Sequence, residues 1–66
     1  MNSDTFEGKW EQLKGKVKAA WGELTDDDLT RINGKVEQLN GLIRERYGRT
    51  KEQAETEIRA FLDRHK

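Results

Sequence analysis

The chain contains no cysteine and no proline. Without cysteine, no disulfide can staple the fold and no thiolate zinc site can form. Without proline, nothing hard interrupts a helix. Charge of one sign is missing too: 13 Lys and Arg balance 13 Asp and Glu, so there is no global pull toward nucleic acid or an anionic membrane. No stretch approaches the ~20 apolar residues that span a bilayer. The opening MNSDTFEG lacks a basic region followed by an apolar run, so no secretory leader is expected and a cytoplasmic location is. Sixty-six residues make one domain at most, and a core of that size rarely supplies more than ~3–5 kcal/mol. Helix packing must hold the chain together, with weak self-association as the only other available aid.

Charged residues make up 39% of the chain and hydrophobic residues 32%, and the mean hydropathy is −1.13. That composition leans toward disorder, but balanced charge and five aromatic residues argue for a small core. The apolar residues are regularly placed. Phe6, Trp10, Leu13, Val17, Trp21 and Leu24 recur at steps of 3 and 4, one stripe on a helix. Asp4 with Glu7 reads as an N-cap pair and Gly22 as a stop. Thr25 then caps a new helix whose first turn carries Asp26, Asp27 and Asp28, where the helix dipole favours anions. Leu29, Ile32, Val36, Leu39, Ile43 and Tyr47 continue the stripe across Asn33-Gly34, a common helix ending. The expectation is a short helix over 26–33, a break or kink, and a helix over 35–47. Thr50 to Gln53 forms a Thr-x-x-Gln capping box, followed by Ala54, Ile58, Phe61, Leu62 and His65 on one face. No segment alternates like a strand, so the chain reads as all-α. Trp10, Leu13, Val17, Leu39, Ile43, Tyr47, Ile58 and Phe61 are the expected core.

Residues 8–22, GKWEQLKGKVKAAWG, return 26 residues later as GKVEQLNGLIRERYG, with seven of fifteen positions identical. Each copy carries three glycines spaced by seven. At ~100° per residue these glycines lie opposite the apolar stripe, away from the main core. Gly22 and Gly48 suit helix ends and Gly34 a break. Gly15 and Gly41 sit inside helices, where each costs ~1 kcal/mol relative to alanine. Gly8, Gln12, Gly15, Ala19 and Gly22 form one ridge, and Gly41 belongs to its counterpart. Two readings stand: glycine tolerated on a solvated face, or a flat surface that admits another backbone. On the second reading Gly41→Ala is expected to clash, since its helix is the more central.

Residues with chemistry are sparse. His65 is the only histidine, and one imidazole without neighbouring ligands is a frayed or core-edge residue. The three aspartates lack the alternating ligands and glycine of a calcium loop. No acidic pair stands in an apolar setting that would tune a general acid, and an all-helical chain has no strand-loop-helix phosphate cradle. No catalytic residue, metal or cofactor is expected. Lys9, Lys14, Lys16 and Lys18 against Glu11 make residues 8–22 locally basic, either a solvated face or a surface for nucleic acid or a partner helix. YGRTKEQAETEI resembles half of a helix-hairpin-helix, in which turn amides and a helix N-terminus hold a phosphate. Thr50 stands where that motif has its second glycine, which counts against it.

Three stretches, GKWEQLKGKVKAAWGELTDDDL, NGKVEQLNGLIRERYG and KEQAETEI, resemble the CsbD-like family of small bacterial stress proteins over residues 6–60. The resemblance implies a single helical domain over 1–66. Its fold would be a small bundle of about four helices, two hairpins packed crosswise. It also implies a bacterial cytoplasmic protein raised in general stress or stationary phase, with no catalytic residues to carry over. The positions it marks are structural: Trp10, Gly15, Val17, Trp21, Gly22, Leu24, Thr25, Gly41, Tyr47 and Gly48. The tail FLDRHK lies outside its signature. The composition also resembles hydrophilins, polar chains that protect other macromolecules. The leading expectation is a non-enzymatic stress protein. The rival is a binding module that uses the basic first helix or the glycine ridge.

Overall fold

The computed structural model describes residues 3–65, with side chains over 6–65. Five helices follow in order: α1 (Ser3–Gly8), α2 (Trp10–Ala20), α3 (Asp26–Ile32), α4 (Val36–Tyr47) and α5 (Lys51–Arg64). No strand occurs among the described residues. The apolar residues of all five helices converge into one buried cluster, from Phe6 in α1 to Leu62 in α5, and among the described residues no large hydrophobic is exposed. None of these helices is long enough to stand alone in water. Their shared burial is what makes them helices.

The expected core is in place, with Trp10, Leu13, Val17, Leu39, Ile43, Ile58 and Phe61 all buried. Tyr47 is half-buried and packs on the cluster's edge. Its hydroxyl accepts a hydrogen bond from the Glu23 amide at 3.0 Å, which joins the turn after α2 to the end of α4.

The bundle has five helices where about four were expected, because the first stripe is broken at Lys9 between α1 and α2. Lys9 has φ −106°, ψ 14°, a local unwinding that keeps the stripe in phase. Both Gln12 N and Leu13 N bond to its carbonyl, at 2.9 Å each. The expected break after Ile32 is sharper. Asn33 is left-handed (φ 43°, ψ 43°), Gly34 follows at φ 80°, and Lys35 is extended as the N-cap of α4. The Gly-Lys pair that opens each copy of the repeat therefore interrupts the helix both times. The expected Asp4–Glu7 cap involves a side chain outside the described set. α2 ends at Ala20, so Gly22 lies in the turn beyond it.

Gly34 corrects one expectation. It does not stand off from the packing. It is buried, and a Cβ built there would lie 2.9 Å from the Glu7 Cα and 3.2 Å from the Trp10 Cβ. The chain crosses the α1–α2 junction at this point, and only glycine satisfies both the backbone angle and the close approach.

Along their backbones the closely packed pairs are α1–α2, α3–α4 and α4–α5. Packing on both sides makes α4 central, and its buried arc includes Asn40 and Leu42. The repeat places Lys14 and Lys16 at the same two positions of α2. The lysines leave the flanks of α2 free, and α2 meets α3–α5 chiefly through long side chains. Trp21, at the C-cap of α2, is one of these. It is 5% exposed, tilts against the Phe61 ring at 5.2 Å and donates its indole N–H to Glu57 at 3.2 Å.

Trp21→Ala should cost ~3–5 kcal/mol, comparable with the whole stability of a chain this size. Loss of the cooperative thermal transition, followed by circular dichroism, is the expected result.

Candidate functional site

The residues singled out as a partner surface lie mainly along α2. Gly8, Lys9, Gln12, Gly15, Lys16, Lys18 and Ala19 are exposed, and Lys14 is half-buried. Lys18 is engaged with Asp26 at 3.2 Å, a pair whose side chains are 47% and 91% exposed, so it contributes little to stability. Gly41, half-buried on α4, belongs to the other helix. The structure finds no backbone against either mid-helix glycine. A Cβ at Gly15 would meet nothing within 4 Å, and at Gly41 only the Nη2 end of Arg44 at 4.0 Å. The clash expected for Gly41→Ala is thus corrected: there is room for the methyl.

The three aspartates at the start of α3 do not act together. Asp26 turns outward to Lys18, Asp27 is exposed, and Asp28 is buried at 1% exposure. Thr25 and Asp28 form a reciprocal capping box. The Asp28 N–H donates to the Thr25 hydroxyl at 3.1 Å, and the Thr25 N–H donates to the Asp28 carboxylate at 3.0 Å. The same carboxylate receives a two-pronged hydrogen bond from Arg46, through Nε at 3.1 Å and Nη2 at 2.9 Å. Arg31 stands 3.9 Å away. The Arg46 hydrogen bonds, then the Thr25 amide, hold the Asp28 carboxyl down at about 2 from an ordinary 3.8, against the opposing effect of burial. This ion pair ties the first turn of α3 to the last turn of α4.

A second polar cluster closes the other side. Glu57 accepts from the Trp21 indole through one oxygen and from Arg49 Nε through the other, at 2.8 Å. The Arg49 guanidinium lies 5.5 Å over the Tyr47 ring and donates to the Tyr47 carbonyl at 3.4 Å. Beside this cluster Arg49, Glu52, Gln53, Thr56 and Glu57 line an open groove of about 480 Å³. The groove has two carboxylates, a guanidinium and no nucleophile with a base beside it. Asn40 is the other buried polar residue. It donates to the Lys51 carbonyl at 3.4 Å, while its Oδ1 is buried without a partner.

The helix-hairpin-helix idea loses its anchor at Thr50. The Thr50 hydroxyl accepts from the Gln53 N–H at 3.1 Å, and the Gln53 side chain accepts from the Thr50 N–H at 2.9 Å. Two of the amides at this helix start, Thr50 and Gln53, are thus engaged in the cap. His65 is half-buried and stacks on Phe61 at 4.5 Å, a core-edge residue. Among the described residues no three His, Asp or Glu side chains converge as a metal site would need. The sequence did not single out the Asp28–Arg46 pair, Glu57 or Asn40. The Thr-x-x-Asp spacing at 25–28 was the one available signal, since a reciprocal cap turns the third residue's side chain back toward the chain.

A family model described as CsbD-like matches residues 4–56. The chain is similar to a UPF0337 protein of Bordetella pertussis, 66% identical over 65 residues, 98% of each chain. A UPF0337 protein of Pseudomonas aeruginosa is 58% identical over 64 residues, 97% of this chain and 98% of its own. The UPF0337 protein YjbJ of Escherichia coli is 57% identical over 65 residues, 98% of this chain and 94% of its own.

Two outcomes follow from this geometry. Gly15→Ala and Gly41→Ala should each stabilise by about 0.5–1 kcal/mol in denaturant titrations, whereas Gly34→Ala should destabilise by ~2 kcal/mol or more. The folded pKa of Asp28 lies below its unfolded value, so its contribution is present above pH 3.8 and lost as pH falls toward about 2. Asp28→Asn should lower stability at pH 7 by about 2–3 kcal/mol. The gap between variant and wild type should narrow across that acid window in thermal melts.

Proposed function

Because the chain belongs to the CsbD-like family, we propose that it is a non-enzymatic cytoplasmic protein of the bacterial stress response that protects other macromolecules through its hydrated surface. One observation carries this reading: no large apolar side chain among the described residues is exposed, while charged residues amount to 39% of the chain. Such a surface holds water and offers neighbouring proteins no apolar patch to adhere to.

The test is protection of a labile oligomeric enzyme through freezing or drying, with the intact chain added at a series of mass ratios. Recovered activity should exceed that given by an equal mass of an unrelated folded protein of similar size. Equal recovery in the two arms would remove the protective role.

A further inference from the structure

The two copies of the repeat share one stripe but differ at its edges. In α4 the edge positions are Asn40 and Leu42, both buried. In α2 they are Lys14 and Lys16, with Lys9 and Lys18 completing two basic shoulders. On a helix of 100° per residue these lysines fall about 60–100° to either side of the line through Trp10, Leu13, Val17 and Trp21. Phe6 and Leu24 extend that line at its two ends. Glu11 is the only acid of α2. An aromatic-rich apolar face with lysines along both borders is the pattern of a helix that lies in a bilayer surface. Among the described residues no helix is long and apolar enough to cross one.

We propose that residues 6–24 are a releasable amphipathic segment whose partner is an anionic lipid surface. In the closed fold the apolar face is spent on the core, and the lysine shoulders are offered with Glu7, Glu11 and Glu23 exposed beside them. Burial of Phe6, Trp10, Leu13, Val17, Trp21 and Leu24 in the core is the main attachment of this segment, and release must give it up; the remaining attachments of α2 are few. Its backbone packs closely only with α1, and its far end is held by three polar contacts: Glu23 N–H to Tyr47, Trp21 to Glu57, and Lys18 to Asp26. Lipid phosphates attract the shoulders first. The segment then exchanges burial in the core for burial among acyl chains, with Phe6, Trp10 and Trp21 at the depth such rings prefer. Opening of this kind needs a ligand that binds the released form better than the closed one, and a bilayer surface meets that condition because it takes up the apolar face. A nucleic acid offers phosphates but no apolar phase, so it gives α2 no reason to leave. The inference holds whether or not the chain shields enzymes in solution.

The test uses the intact chain with vesicles of phosphatidylcholine, with and without phosphatidylglycerol, carrying brominated acyl chains that quench tryptophan. Quenching is expected with the anionic vesicles and not with phosphatidylcholine alone. The triple variant Lys9→Gln, Lys14→Gln, Lys16→Gln should melt as wild type does and bind the anionic vesicles about a hundredfold more weakly. The double variant Tyr47→Phe, Glu57→Gln loosens two of the three contacts and should bind several-fold more tightly. Absence of quenching on anionic vesicles would overturn the proposal. So would vesicle binding with unquenched tryptophans that a duplex oligonucleotide displaces at equal phosphate, which would mean that the lysines dock without release.

Discussion

The Asp28 carboxylate carries two obligations. It completes the cap of α3, and it receives both prongs of Arg46 from the end of α4. A carboxylate this buried is tolerable only when its lone pairs are filled. Each half of the arrangement therefore requires the other, and the α3–α4 hairpin closes at one geometry. With that hairpin set, α4 has α3 on one side and α5 on the other, and α2 is left at the periphery. In a chain without disulfides, this contact is a directional constraint that apolar burial alone cannot supply.

Much of this was legible in local patterns. The stripe at steps of 3 and 4 identified the buried residues of α2, and Thr25 as an N-cap and the Thr-x-x-Gln box at 50–53 identified the starts of α3 and α5. These signals are readable because they depend on neighbours within one turn. The break at Lys9 was written in the repeat, whose Gly-Lys pair interrupts the chain twice, but an uninterrupted stripe concealed the first instance. What was not legible depends on neighbours distant in sequence. The spacing from Thr25 sets Asp28 apart from Asp26 as a capping residue, but the arrival of Arg46 from α4 has no local signal. Gly34 was read as a turn residue, and the nearness of Glu7 and Trp10 gives it a second reason to be glycine. The candidate partner residues other than Gly41 lie on and just before α2, exposed apart from the half-buried Lys14, while Gly41 stands apart on α4.

The two copies also show how one motif serves two positions in a bundle. Both present the same apolar line. The copy that must pack on both flanks has Asn40 and Leu42, and the copy that packs on one line has lysines there. The difference between a central and a peripheral helix is thus carried by two residues at the edges of a shared pattern. The glycines opposite the line need no partner to explain them inside the fold, since Gly15 has open space around it.

The hydrogen bond from Glu23 to Tyr47 has a bearing on how the molecule can be watched. A backbone amide in an exposed turn ordinarily trades its proton with water almost at once. This one donates to a phenol from another helix, so lifting of the end of α2 from α4 breaks the contact that slows its exchange. A single amide resonance therefore reports on that contact in solution, without any label and without disturbing the equilibrium it follows.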